Sequence, residues 1–413
     1  MHTLIACLRL ARTDSIGPTR WRQLMARYHT PQAALDALPS LRPKGRPAVV
    51  TPPPVVDIER EIDATYRLGG QFVTLLDDTY PLLLRNCPDA PPVLSILGQV
   101  SCLHQAGVSV VGARNASAHG IRFAGALATE LAESGLSVIS GLARGIDRAA
   151  HMGALHRQGL TIAAIAGGLD RPYPPENAAL QAEIAERGVV VTEAPLGTIP
   201  TNRHFPRRNR LIAGLGLGCV VVEAAPHSGT LITARLAAEY GREVFAVPGT
   251  PLEPRYRGSN NLLRTGAILT ESVADILPHL PPMPKSDSFS LKTPTPQKKD
   301  GQPQLWAEPP PSAAPTPTTP KPTASLVKTV HTPSFAPGTK PLPPAPHAAP
   351  QQPEKLHENL LDLLSFTPIP VDELVRHCQF SASAVLTVLT ELELAGRVSL
   401  LPGGRVILTA PDQ

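Results

Sequence analysis

Aromatic residues make up only 4% of this 413-residue chain, and no run of it approaches the ~20 apolar residues that a membrane span needs. Its start, MHTLIACLRLARTD, is briefly apolar but lacks a basic leader and a small-residue cleavage site, so no secretion signal is expected. The five cysteines (Cys7, Cys87, Cys102, Cys219 and Cys378) are widely spaced and form no CxxC pair. That pattern argues against a disulfide frame and a zinc site, and for reduced thiols in a cytoplasmic protein. Charge is scarce as well. The net +4 is matched by residues 281–353 alone, where seven lysines face Asp287, Asp300 and Glu308, so the rest is formally neutral. An anion site must therefore be a local cluster.

What the chain does have is a repetition in its middle. Six apolar strands each run into a break rich in small residues: Val111-Gly112-Ala113-Arg114, Ser140-Gly141-Leu142-Ala143-Arg144-Gly145, Ala166-Gly167-Gly168, Glu193-Ala194-Pro195, Glu223 onward to Ser228-Gly229-Thr230, and Pro248-Gly249-Thr250. Segments with helical spacing lie between them. Such alternation specifies a parallel sheet with helices on both faces, which binds ligands outside the carboxyl ends of its strands. Bare backbone and helix N-termini there favour anions. A phosphate-rich ligand is the first expectation.

The flanks read differently. Residues 1–55 are helical, broken at Asp14-Ser15-Ile16-Gly17-Pro18. This is a helix-hairpin-helix or SAM-like unit whose amides hold a phosphate, or an ordinary turn with Gly17 after one helix and Pro18 starting the next. The turn is preferred, since the hairpin contains no basic residue. Residues 281–353 hold 21 of the 48 prolines and no apolar periodicity, the composition of a disordered, semi-stiff tether. Beyond it, residues 354–413 suggest a winged-helix-like module. Leu356, Leu360, Leu363 and Leu364 mark one helix, and Val371, Leu374 and Val375 a second. Ser381 caps a third carrying Val385, Leu386, Leu389, Leu392 and Leu394, and two short strands follow. The third helix has no Arg or Lys and two Glu, so protein contact or plain packing is as good a reading as DNA recognition.

Between the flanks, residues 56–280 carry the loops. The first is not G-x-G-x-x-G, no GK[ST] occurs, and no acidic residue ends the second strand, so NAD, FAD and Walker-type nucleotide binding lack support. The first loop offers Gly112 for close approach, Arg114 as a fork donor and Ser117 near a helix start. The second repeats this with Ser140, Gly141, Arg144 and Gly145; Asp147 then suits a helix N-terminus, and His151 reads as packed. A third cluster sets Phe205 among Arg203, Arg207, Arg208, Asn209 and Arg210. Arginine forks hold phosphates and a phenyl ring stacks a base, which are the needs of a single-strand platform. Ser228, Gly229, Thr230 and Thr233 open a helix after a strand, as a phosphate seat would. No nucleophile–base–orienter set and no metal-ligand spacing is found.

SGLARGIDRAAHMGAL, TIAAIAGGLDRPYPPEN, FPRRNRLIAGL, VVEAAPHSGTLITARLAAEYGREVFAVPG and GSNNLLRTGA together resemble the DNA-processing protein A (DprA/Smf) family over roughly residues 70–280. The resemblance implies an extended Rossmann core, single-stranded DNA binding and protection, help in loading the RecA recombinase during natural transformation, and a homodimer. It also implies DNA contacts at Arg114 and Arg144, and a phosphate pocket around Phe205, Arg208, Asn209, Arg210, Ser228, Gly229, Thr230 and Thr233. Ala113 stands where the family often has serine, one hydroxyl fewer.

Two rivals are weighed. The "lonely guy" nucleoside-phosphate hydrolases share such a pocket but carry glutamates after their GT, where this chain has Leu231, Ile232 and Thr233. A nucleotide-binding relic remains, without hydrolysis. A duplex-binding regulator would act through residues 354–413. The expected protein is a non-enzymatic single-strand binder with no cofactor and no metal.

Overall fold

The computed structural model describes residues 1–40, 42–43, 50–226, 228–284, 306–307, 360–361, 363–364, 369–378, 381–401 and 404–409. The expected tether at 281–353 lies outside these residues except for 281–284 and a two-residue antiparallel pairing of Trp306–Ala307 with Arg42–Pro43. Leu356 also lies outside them.

A nine-stranded sheet forms the centre. Its strands are β1 (Gly70–Thr74), β2 (Val93–Gly98), β3 (Gly107–Val111), β4 (Ser137–Ser140), β5 (Thr161–Ala164), β6 (Val189–Thr192), β7 (Gly218–Val221), β8 (Glu243–Ala246) and β9 (Ile268–Leu269). Their spatial order is β9-β8-β7-β3-β4-β5-β6-β2-β1. The pairings from β9 to β6 are parallel, as the crossovers require, but β2 runs antiparallel to β6 and β1 to β2. The sheet is therefore mixed, not purely parallel. Every residue of β3 to β7 is buried, because helices cover both faces.

α5 (Leu82–Arg85), α8 (Ala178–Arg187) and α11 (Arg257–Arg264) are among the helices around the sheet, and alternation along a strand sorts its faces. Val108 and Val110 of β3 pack with Leu127 of α6 (Ala118–Glu133) and Ile146 of α7 (Ile146–His156). Ser109 and Val111 look the other way, and Ser109 Oγ donates to the Ile212 carbonyl of α9 (His204–Leu215) at 2.7 Å. α6 and α7 approach so closely that a Cβ on Gly153 would stand 2.2 Å from the Gly125 carbonyl. Thr129 Oγ1 donates across the gap to Gly153.

Three front helices, α1 (His2–Ala11), α2 (Pro18–Tyr28) and α3 (Pro31–Ala37), and α4 (Val55–Arg67) pack into the same apolar cluster as β2. Trp21 is fully buried there, and Arg12 donates to the Glu193 carbonyl at 2.8 Å. Pro18 starts α2 as expected, but Gly17 is its N-cap. The left-handed residue of the hairpin is Ser15, with φ 72°.

The terminal module contains α12 (Val371–Cys378), α13 (Ala382–Leu394) and a hairpin of β11 (Val398–Leu401) and β12 (Arg405–Leu408). Ser381 caps α13 by accepting from the Ala384 N–H. A third short strand, β10 (Ile369–Pro370), pairs with β12. The buried stripe of α13 is Val385, Val388, Leu389 and Leu392. Leu386 and Leu394, expected inside, are 50% and 85% exposed, because positions 386 and 394 fall off the i, i+3, i+4, i+7 face.

Candidate nucleic-acid interface

Strand order reverses between β3 and β7, since the chain builds outward from β3 first through β4 and β5 and later through β7 and β8. Loops leaving the carboxyl ends at such a point diverge and leave a crevice. Here it is a cleft of about 620 Å³. One wall is the loop after β3, with Gly112 and Arg114; the other is the start of α10 (Gly229–Glu239), with Ser228, Gly229, Thr230 and Thr233. Phe205, Arg208 and Asn209 of α9 close its floor and end. A second cavity, lined by Arg144, Arg171, Tyr173 and Pro200, shares Arg114, Phe205 and Arg208 with the first.

Between the two stands a stack. The exposed Arg114 guanidinium lies 4.5 Å from the Phe205 ring centroid, and Tyr173 meets Phe205 at 5.7 Å and 53°. Arg144 is also exposed and pairs with Glu176, a contact that raises the arginine's pKa and lowers the carboxylate's. Tyr173 and Arg171, both in the DRPYPPEN stretch, join the site only through the fold, since no loop motif singles them out.

The expected arginine cluster does not act as one patch, because successive residues of a helix point 100° apart. Arg207 is exposed. Arg208 is buried, and its Nη1 donates to the carbonyls of Gly141 and, at 2.9 Å, Ala164. Its guanidinium occupies the space above Gly141, where a Cβ would collide with it. Burial lowers its pKa and raises that of buried Asp147; the mutual attraction of the two opposes both shifts. Arg210 turns away from the cleft to pair with Glu193 and the Asp89 carbonyl. It is a strut between α9 and the strand ends, not a cleft residue.

Two hydroxyls are also spent elsewhere. Ser140 Oγ donates to the Val110 carbonyl at 2.6 Å. Ser117 caps α6 through the Gly120 N–H, and its own N–H and hydroxyl both bond the buried Glu223 carboxylate. That carboxylate fills the anion seat at the α6 N-terminus, so the helix start predicted to take a phosphate already holds a negative group. Gly112 is bare because Ile146 packs against it, and Gly145, with φ +71°, because the Ala113 and Arg114 carbonyls crowd it. His151 is fully buried, as expected of a packed residue.

The start of α10 is different. An added Cβ at Gly229 would meet nothing within 4 Å, and Ser228 Oγ is buried without a hydrogen-bond partner among the described residues. Thr230 Oγ1 donates to the Gly112 carbonyl at 3.0 Å, Asn209 Nδ2 to the Gly229 carbonyl at 3.2 Å, and Thr233 is buried behind them. Side chains thus brace this turn and the Leu231 N–H is tied to the Ser228 carbonyl at 3.1 Å, while the N–H groups of Gly229 and Thr230, ahead of the first intrahelical bond, belong to residues that line the cleft. Among the described residues no three His, Cys, Asp or Glu side chains gather as a metal set, and no helix is long and apolar enough to cross a membrane.

A family model described as DNA recombination-mediator protein A matches residues 71–281; models of the DprA-like N-terminal HHH domain and the DprA winged helix domain match 2–64 and 343–404. The helix-hairpin-helix alternative for the front unit is thereby the one supported. DNA processing protein DprA of Streptococcus pneumoniae is 44% identical over 231 residues, 54% of this chain and 81% of that protein. Its X-ray structure superposes with a TM-score of 0.53 at 40% identity, covering 55% of this chain and 79% of that one. DNA processing protein A from Helicobacter pylori, whose structure is described by its single-stranded DNA binding mode, is 30% identical with a TM-score of 0.45, over 50% of this chain and 94% of that chain. Protein Smf of Synechocystis sp. is 41% identical over 221 residues, and the chain spans just over half of its length, 56%. With its central domain, front unit and terminal module each matched in order, the chain belongs to the DNA recombination-mediator protein A family.

Proposed function

We propose that this chain is a single-stranded DNA-binding protein that holds the strand across the switch-point cleft, shields it, and passes it to the RecA recombinase during DNA uptake. It works without catalysis or cofactor, in the cytoplasm, as a homodimer. Its parts are a front unit at 1–55, the DNA-binding core at 56–280, a tether at 281–353 and the terminal module at 354–413. Arg114 and Arg144 take successive phosphates, the α10 amides with Ser228 take another, and Phe205 with Tyr173 stacks a base. Gly112, Arg208, Asn209 and Thr233 line the cleft, Ser117, Ser140 and Gly145 support its loops from behind, and Arg210 is a strut away from it.

The observation that carries this reading is the Arg114–Phe205–Tyr173 stack at the rim shared by two cavities, each lined by further arginine or open amides. The exposed ring of Tyr173 beside a half-buried Phe205, flanked by cations, suits unpaired bases on a charged backbone, whereas duplex bases are already stacked on one another. Family membership and the RecA partnership it implies are consistent with such a strand. The test is fluorescence anisotropy of the full chain with a labelled single strand, titrated against salt, with the matching duplex as competitor. Tight binding that weakens steeply with salt and resists the duplex is expected. Equal competition by duplex would overturn the reading.

A further inference from the structure

Two side chains lining the cleft carry a buried polar atom with no hydrogen-bond partner among the described residues: Ser228 at Oγ and Arg255 at Nη1. Buried donors are normally satisfied, by the fold, by ordered water or by a bound group. Arg255 lies outside the loops and clusters singled out in the sequence. It belongs to the turn that follows β8, and that turn brings it to the cleft beside the start of α10.

Its other two nitrogens are held. Nε lies 3.9 Å from Oε1 of Glu253, and the two side chains are 16% and 3% exposed. Nη2 donates to the Leu361 carbonyl of the terminal module at 3.2 Å. That module is anchored independently on α6, where Arg122 pairs with Glu373 at 3.2 Å and Ala118 is buried in the module's apolar cluster. The guanidinium is therefore held on two sides, and both N–H groups of its buried Nη1 are left without an acceptor among the described residues, in a side chain that lines the cleft.

We propose that Arg255 is a phosphate-binding residue of the cleft, positioned for a strand phosphodiester by the Leu361 carbonyl of the docked terminal module. This deepens the single-strand reading above and rests on it. A phosphate oxygen supplies the acceptor that Nη1 lacks, and the neighbouring Ser228 hydroxyl is a second donor for the same anionic ligand. A guanidinium suits the position because its fork serves the carbonyl and the phosphate at once, which a point-charge ammonium cannot do.

The test uses the full chain and a labelled oligothymidylate, with anisotropy read over a salt series. Arg255→Ala is expected to weaken binding about tenfold and to lower the salt slope by about 0.7. Arg255→Lys should restore the slope but only part of the affinity. Arg257→Ala, an exposed position lining a separate cavity, should match wild type. Glu373→Ala separates a phosphate contact from a mere tie to the module, because it loosens docking without touching the cleft. If Arg255→Ala and Glu373→Ala lower affinity alike and leave the slope at its wild-type value, Arg255 is only a strut and the proposal fails. Wild-type affinity and slope in Arg255→Ala also overturn it while leaving the single-strand reading intact, provided Arg114→Ala still weakens binding. If wild type itself ignores the strand, both fall together.

Discussion

The guanidinium of Arg114 rests on the face of Phe205, 4.5 Å from its centroid, and so joins the loop after β3 to the first turn of α9. The pair comes from positions 91 residues apart, yet it forms a single surface with a cation on one side and an aromatic ring on the other. Such contacts orient a flexible arginine at little cost while leaving its N–H edges open to a phosphate.

Replacing both rim arginines is the most direct consequence to check. Arg114→Ala with Arg144→Ala should weaken single-strand binding by about 3 kcal/mol, near 100-fold, since each removes a charge-assisted hydrogen bond. The fold should survive. Arg114 is exposed, and the Arg144–Glu176 pair is a surface contact of 63% and 39% exposure, worth ~1 kcal/mol at most. Circular dichroism and anisotropy on one preparation check both halves; unchanged affinity in a folded double variant would show that the strand lies elsewhere.

Phe205 should contribute through stacking. Phe205→Ala is expected to cost about 1–3 kcal/mol of strand affinity and to leave the salt slope nearly unaltered, because no phosphate contact is lost. Phe205→Tyr should keep most of the affinity. A slope that falls with Phe205→Ala would mean that the ring acts only by positioning Arg114.

The parallel strands and their carboxyl-end loops were legible because β3 to β7 are mostly apolar on both faces and run into breaks rich in small residues, a pattern few other folds produce. The antiparallel β1–β2 edge was not, since nothing local in Val93–Gly98 tells a strand which way its neighbour runs. The site was half legible. Arg114, Arg144 and Phe205 stand on the rim as their loop and helix-start positions implied. Of the arginine run, Arg207 is exposed, but composition does not carry helical phase, and Arg208 and Arg210 are turned inward and consumed by carbonyls and Glu193. Arg255 was illegible for the opposite reason. A lone arginine in a turn carries no signal until the fold brings it beside α10.

Two glycines separate architecture from binding. At Gly145 the backbone has φ +71° and an added Cβ would meet two carbonyl oxygens at 2.4 Å, so Gly145→Ala should destabilise the fold by at least ~1–2 kcal/mol. Gly229 has open space around it, so Gly229→Ala should leave the melting temperature at or above wild type while hindering the close approach of a phosphate to the α10 amides. Thermal melts beside anisotropy would tell. If Gly229→Ala binds like wild type, the α10 turn is not a phosphate seat.

Arg210 should matter to stability and not to DNA. Arg210→Ala strands the Glu193 carboxylate in a partly buried site and is expected to cost about 3–5 kcal/mol of folding free energy. Urea unfolding measures that loss. At temperatures where the variant stays folded, its salt slope for single strands should equal wild type, and a lower slope would return Arg210 to the list of phosphate contacts.

His151 gives the fold a defined acid sensitivity. Its Nε2 accepts from the Leu142 N–H at 3.3 Å. Nδ1 meets Thr161 Oγ1 at 2.7 Å, and that hydroxyl already donates to the Val138 carbonyl, so Nδ1 carries the proton of a neutral ring. Burial, reinforced by the Arg208 charge, lowers its pKa to about 3, whereas in the unfolded chain it titrates near ~6.5. Below that upper value the unfolded chain takes up a proton that the native protein refuses. Stability is therefore complete above ~6.5 and declines as pH falls toward 3, by up to ~1.4 kcal/mol per pH unit from this residue. Asp147, with a pKa raised by burial, contributes with the opposite sign and is common to both proteins in the comparison. His151→Gln keeps a donor and an acceptor without a titrating group. Chemical unfolding of the two at pH 7 and pH 5 should show a larger loss for wild type, by roughly 2 kcal/mol. The loop concerned holds Leu142 at φ +54° and leads directly to Arg144, so acid should loosen strand binding in wild type before it loosens the variant. Identical pH dependence in the two proteins would mean that the imidazole is protonated in the native state and that the Leu142 loop is supported by other contacts.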